Sequence, residues 1–195
     1  MRKVQLKQMK RRAEIIETVL PFLETAPFEE LSVTEICRYA DISVGTFYHY
    51  FATKSDLLVG LLGLIDGYFI NEVFPLLISE NEAENLRLFS HHWAVYVETH
   101  GLERSRLISR VEPSERYLSG ERREILDMLE HCFRQGQEKG QVLASETPEK
   151  LTELFLLAVR GVCVDWSRRS GSYDLIARTD ELTTVFLRGV VVPEK

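Results

Sequence analysis

The sequence predicts an all-α protein of about nine helices, a small helix-turn-helix head followed by a longer helical body. Three observations carry that reading. Apolar residues recur at helical spacing along most of the chain, and no segment alternates as a strand would. Helix-start signals crowd into residues 32–56, as Ser-x-x-Glu, a lone Ser, and Thr-x-x-Asp. Charge is divided: the first twelve residues hold six bases and no acid, while residues 61–195 hold 16 bases against 22 acids.

The head begins with a basic segment running into Ile15, Ile16, Val19, Leu20, Phe22 and Leu23, one helical stripe. Pro21 inside it is expected to kink or shorten that helix. The chain turns at Ala26-Pro27. Ser32-Val33-Thr34-Glu35 is a capping box, and its helix turns Val33, Ile36, Cys37 and Ala40 inward. Asp41-Ile42-Ser43 makes a tight turn, with Asp41 suited to a left-handed backbone. Ser43 caps the next short helix. Thr53-Lys54-Ser55-Asp56 is expected to be another capping box, opening a long helix through about Ile70. Two short capped helices joined by a three-residue turn form the helix-turn-helix pattern, which places the domain boundary at 1–55 and 56–195.

Ser43–Phe51, SVGTFYHYF, holds four aromatics and no acid or lysine. On a helical wheel Val44, Phe47 and Phe51 form an apolar anchor. Gly45, Thr46 and His49 lie opposite, flanked by Tyr48 and Tyr50. The outer face is slim and donor-rich. Gly45 permits close backbone approach, the hydroxyls suit phosphate oxygens, and Val44 or His49 could meet base edges in a major groove. The amino end of the following helix, with Lys54, offers a phosphate site, and the arm Arg2–Arg12 adds sequence-independent attraction. An aromatic helix of this size is otherwise plain core. The conjunction of caps, turn, outward glycine and lysine is what favours DNA.

Composition sets the remaining bounds. At 195 residues, 45% hydrophobic and 28% charged, the chain is ordinary globular protein. The net charge of −6 argues against nucleic acid until its distribution is considered. Leu57–Ile65 is the longest apolar run and is stopped by Asp66, so no membrane partner is expected. The N-terminus lacks the apolar segment of a secretory signal, and Cys37, Cys132 and Cys163 lack paired spacing. A reducing, cytoplasmic setting is therefore expected.

Beyond residue 56 the helices carry Leu86, Phe89, Trp93, Tyr96, Val97 and His100 on one stripe. Ile125, Met128, Leu129, Cys132 and Phe133 make another. Glu153–Val164 is apolar nearly all round, and a last helix carries Leu182, Val185, Phe186 and Val190. Breaks are expected near Pro75, Gly101, Pro113, Gly120, Gly140, Pro148 and Gly171. Gly60, Gly63 and Gly67 share a face and suit tight helix packing.

Ser32–Leu58, SVTEICRYADISVGTFYHYFATKSDLL, resembles the signature of the TetR/AcrR family of bacterial transcriptional regulators. The shared elements are the capped second helix, Ile36, Ala40, Ser43, Gly45-Thr46-Phe47-Tyr48, Phe51, Lys54 and Leu57. Asp41 stands where the family usually has glycine, and Ala26-Pro27-Phe28 replaces a glycine-aromatic pair. The resemblance implies a homodimer on a palindromic operator, most often a repressor, with a ligand-binding and dimerisation body that takes a small-molecule effector. Carried over by motif, Thr46, Tyr48, His49 and Lys54 look like DNA contacts, with Tyr50 where the family often has histidine; Ser32, Thr34, Ser43, Val44 and Gly45 are the further contacts expected from the head itself.

A palindrome read by paired heads requires two copies of the chain. Leu157, Gly161 and Val164, with Val185 and Phe186 on the last helix, are the expected dimer interface, an ordinary buried helix being the alternative. The expected effector pocket draws on Phe89, His92, Trp93, Tyr96, Arg110, Met128, Cys132, Phe155 and Trp166, though each could equally be core. His100 and His131 are further polar candidates.

Adjacent His91 and His92 point about 100° apart on a helix, so they cannot share a metal, and no metal or cofactor is expected. With no nucleophile elbow or dinucleotide fingerprint, no enzyme is expected either.

Overall fold

The computed structural model describes residues 3–111 and 124–192, with eight α-helices among them. These are α1 (Lys3–Leu23), α2 (Val33–Tyr39), α3 (Val44–Tyr50), α4 (Asp56–Tyr68), α5 (Glu82–Ser109), α6 (Glu124–Glu138), α7 (Pro148–Arg168) and α8 (Leu175–Val190). A π turn, Phe69–Val73, and a 3-10 turn, Phe74–Leu76, follow α4. One antiparallel bridge joins Val142 to Val191. The expected breaks at Pro113 and Gly120 lie outside the described residues.

The chain forms two compact units. One comprises Met1–Ile65 and the stretch that begins at Leu107. The other comprises Asp66–Arg106 and the stretch that begins at Arg122. α4 and α5 each run from one unit into the other along the chain.

In the first unit Ile15, Ile16, Val19, Leu20 and Leu23 of α1, Ile36 and Cys37 of α2, and Phe47 and Phe51 are buried together with Leu57, Leu58 and Leu61. Helices of seven residues, such as α2 and α3, cannot persist on propensity, so their ends are tied. Pro21 falls in the last turn of α1 and does not end it early. Of the three glycines on α4, only Gly60 is closely approached. A Cβ there would lie 2.2 Å from Ile16 Cδ1, whereas Gly63 and Gly67 face open space.

In the second unit the interior is aromatic. Phe69 packs on Phe89 at 4.6 Å and on Trp93 at 5.4 Å, and Phe155 packs on Phe133 at 5.8 Å and Phe186 at 5.2 Å between ring centroids. α7 packs against both α6 and α8. α5 is broken at Gly101, whose φ of 82° is left-handed. Gly140 and Gly171 also have positive φ, at 69° and 71°, as turns after α6 and α7. Pro148 starts α7 rather than breaking it, at the N-terminal position where its missing amide costs nothing.

The apolar stretch after the head extends farther than Leu57–Ile65. Asp56–Leu76 is long and apolar enough, by length and composition alone, to cross a membrane. Its Leu57, Leu58, Leu61, Leu62, Ile65, Phe69 and Val73 are buried within the protein, while Phe74 and Leu76 are exposed.

Candidate nucleic-acid interface

The geometry of the head follows from its caps. Ser32 Oγ accepts the Glu35 amide at 3.2 Å, and the Glu35 carboxylate accepts the Ser32 amide at 2.8 Å and hydroxyl at 2.6 Å. Those Ser32 bonds hold the Glu35 carboxyl below its ordinary pKa. At the turn, Asp41 adopts φ 52°, the left-handed conformation expected of it. Its neighbour Ile42 donates back to the Cys37 carbonyl at 3.0 Å, which closes α2. Ser43 Oγ then accepts the Thr46 amide at 2.9 Å and shares a 2.8 Å bond with the Thr46 hydroxyl.

These ties aim α3. Phe47 and Phe51 are fully buried, 5.2 Å apart, while Gly45, Tyr48 and His49 are exposed and Thr46 and Tyr50 half-buried. Val44 departs from the wheel. It is 42% exposed, at the first position of the helix beside the exposed cap Ser43. It therefore belongs with the outer face, not with the anchor. Ser32, Thr34 and Ser43 are exposed too, but the two serine hydroxyls are spent on caps.

The start of α4 differs from expectation. The Asp56 carboxylate, not an outside anion, takes the amides of Ala52 (2.6 Å) and Thr53 (3.1 Å). Lys54 Nζ turns inward and donates to the carbonyls of Phe28 (2.8 Å), Leu31 (2.9 Å) and Glu29 (3.1 Å). It also sits 4.7 Å from the centre of the Phe28 ring. In the arm, Arg12 likewise faces inward, donating to the Asp56 carbonyl at 3.2 Å and lying over Phe51. Lys10 and Arg11 remain exposed.

Sequence reasoning missed Arg12's inward role and Tyr39, an exposed ring at the end of α2 stacked 4.9 Å from Phe22. Their signal was there: Tyr39 lies three residues after buried Ile36 but beyond the apolar stripe, at a helix end.

The residues expected to form an effector pocket divide. Phe89, Trp93 and Phe155 are buried in one ring cluster, and Tyr96, Met128 and Cys132 are buried in the same unit. Burial pushes the Cys132 thiol up to about 12. His92 Nδ1 pairs with the Tyr68 hydroxyl at 3.0 Å. Burial, then the neighbouring His91, lowers the His92 pKa. Trp166 donates to the Tyr173 carbonyl at the end of α7. Arg110 belongs to the first unit, where it pairs with Glu29 at 2.5 Å. His100 lies against Tyr96, 4.0 Å between ring centres. A cleft between α5 and α8 in the second unit is lined by other residues, including Arg87, His91, Asp180 and Thr184.

Of the expected interface residues, Leu157 is 63% and Val185 66% exposed, with Gly161 open beside them. Val164 and Phe186 are half-buried, Phe186 by its contact with Phe155. Leu154, one turn before Leu157, adds to the exposed apolar face.

A capped helix pair that buries its aromatics and offers a slim polar face defines a helix-turn-helix DNA-binding regulator. Residues 15–61 match the family model of bacterial regulatory proteins, tetR family. The chain is 27% identical over 157 residues to the transcriptional regulator AcuR of Cereibacter sphaeroides, covering 75% of this chain and 72% of that one. It is 42% identical over 52 residues to the regulator EthR of Mycolicibacterium smegmatis, 27% and 24% of the two chains. Its fold superposes on Thermus thermophilus FadR, a TetR-family repressor in complex with lauroyl-CoA, with a TM-score of 0.73. That match has 19% identity and covers 94% of this chain and 97% of that one. Residues 15–61 thus carry the DNA-binding domain of the tetR family of bacterial regulatory proteins, and the whole chain is similar to transcriptional regulators of that family.

Proposed function

We propose that the protein is a homodimeric repressor that reads a palindromic operator with α3 and releases it when a small molecule enters the second unit. The observation that carries this reading is the outer face of α3. Val44, Gly45, Tyr48 and His49 stand exposed on a helix whose opposite side is locked by Phe47 and Phe51. A helix presenting small, aromatic and imidazole groups on a rigid base suits a major groove, and Val44 suits the methyl of a thymine. Thr46 and Tyr50, half-buried at the flanks, and Thr34 at the start of α2 are placed to meet phosphates. The exposed apolar face of Leu154, Leu157, Gly161 and Val185 supports pairing through α7 and α8, since two half-sites need two heads.

For the effector, an apolar or aromatic molecule is the class that the ring-rich interior of the second unit favours. Acyl-CoA is the first probe to try, because two structural relatives, the FadR proteins of Bacillus subtilis and Thermus thermophilus, are described in complex with stearoyl-CoA and lauroyl-CoA. The effector biases an equilibrium between two head spacings, only one of which fits the operator. No catalysis enters this scheme, and the protein would act where the chromosome is, in the cytoplasm.

Selection from a randomised duplex pool tests the reading. It expects a palindromic consensus, bound by a dimer and lost in Tyr48→Ala with folding intact. A pool that stays unselected, with binding indifferent to sequence, overturns it. Titration of the selected complex with lauroyl-CoA and with aromatic acids then tests the effector class.

A further inference from the structure

Lys54, expected at a phosphate, is bound within the protein instead. An ammonium has three protons and no acceptor. Those of Lys54 are aimed at three backbone carbonyls, Phe28 at 2.8 Å, Leu31 at 2.9 Å and Glu29 at 3.1 Å, with the Phe28 ring 4.7 Å away. Phe28 is 5% exposed, so one side of the ammonium is closed by an apolar wall. Turning it outward to a phosphate would give up all three bonds, and only the Phe28 carbonyl would keep another donor, the Leu31 amide. The helix start is also partly occupied. The amides of Ala52 and Thr53 are already held by the Asp56 carboxylate, whose charge repels a phosphate.

We propose that Lys54 is a positioning residue for operator binding that does not touch the DNA. It fastens the first turn of α4 to the connection between α1 and α2, so that displacement of α4 carries the helix-turn-helix with it. Two further contacts act in the same sense. Arg12 of α1 holds the Asp56 carbonyl at 3.2 Å, and Gly60 lets α4 lie directly on Ile16. The same connection is gripped from a second side, because the Glu29 carboxylate pairs with Arg110, just past the end of α5. Along the chain α4 leads out of the first unit and α5 leads back into it. The five residues Pro27–Leu31 are thus tied to the start of α4 and the end of α5, and Lys54 is the tie that involves the backbone rather than two side chains.

The inference rests on the operator-binding reading but is tested separately from it. The first measurement is limiting acetylation of the full-length wild-type protein, without DNA, followed by mass spectrometry. Exposed Lys10 is the internal reference. A tied Lys54 reacts about tenfold more slowly than Lys10, the factor expected from a net hydrogen bond to a charged group, and operator DNA changes its rate little. A Lys54 that reacts as fast as Lys10 and is shielded only by operator overturns the proposal. The second measurement is the salt dependence of operator affinity for Lys54→Met. Loss of a tie lowers affinity and melting temperature while the slope of log K against log salt stays at the wild-type value. A slope reduced by about 0.9 for each lost contact, with melting unchanged, assigns Lys54 to a phosphate and overturns the proposal. If no operator is found at all, the functional reading fails, and acetylation still decides the tie.

Discussion

The head and the body of this protein solve the same problem with different forces. The head must hold two helices of seven residues in one orientation, and it does so with directed polar ties: the Ser32–Glu35 box, the Ser43–Thr46 cap and the Lys54 ammonium on three carbonyls. The body has a helix of 21 residues, α7, and relies on bulk. Phe69, Phe89, Trp93, Phe133 and Phe155 fill it ring against ring. Directed ties fix an angle to within a hydrogen bond's tolerance, which groove reading demands. Ring packing fixes a volume and tolerates rearrangement of shape, which a ligand-responsive unit can use.

The difference can be broken by substitution. Phe155→Ala should cost the most, about 3–5 kcal/mol, since the ring is wholly buried among other rings. Urea unfolding followed by tryptophan fluorescence reads it, both tryptophans lying in the second unit. A loss below about 1 kcal/mol would mean that the body is not held by ring packing.

Ser32→Ala should cost about 1 kcal/mol, and so should Thr147→Ala, which removes the cap of α7. Only the first should weaken operator binding, because only α2 orients the reading helix. Equal effects on DNA would erase the distinction between the units.

Asp41→Gly should stabilise slightly, by up to about 1 kcal/mol, because φ 52° strains any residue with a Cβ. A loss of stability in the same denaturation assay would instead assign the Asp41 side chain a role of its own.

The smallest effect is a pH dependence in the body. Burial lowers the His92 pKa below its ordinary 6.5, so the folded state binds fewer protons there than the unfolded state. Its contribution is complete above pH 6.5 and is lost as pH falls from there through the lower folded value. His92→Gln should flatten that acid-side decline in melting temperature. An identical pH profile in the variant would show that His92 does not produce it.

The same contrast decides what the sequence disclosed. Caps are local chemistry, written in three or four neighbouring letters, so Ser32–Glu35, Ser43 and the left-handed Asp41 were legible, as was burial of Phe47 and Phe51. The turns at Gly101, Gly140 and Gly171 were legible for the same reason. What depends on partners distant in the chain was not. Nothing near Lys54 announces three carbonyls 23 to 26 residues upstream. The wheel cannot know that Val44 is left exposed, nor that Arg110 meets Glu29 81 residues away. Aromatic stripes in α5 and α7 foretold an interior but not which rings close on each other and which border a ligand.

The break at Gly101 has a consequence for how such a chain can change. In an unbroken α5, inserting one residue would rotate everything after it by about 100°, swinging Arg110 away from Glu29. A single glycine at φ 82° interrupts the helical phase, so the segment before it and the segment after it need not keep register with one another. A length change before Gly101 would have to be taken up in the φ and ψ of that one residue, where the helical phase is already broken.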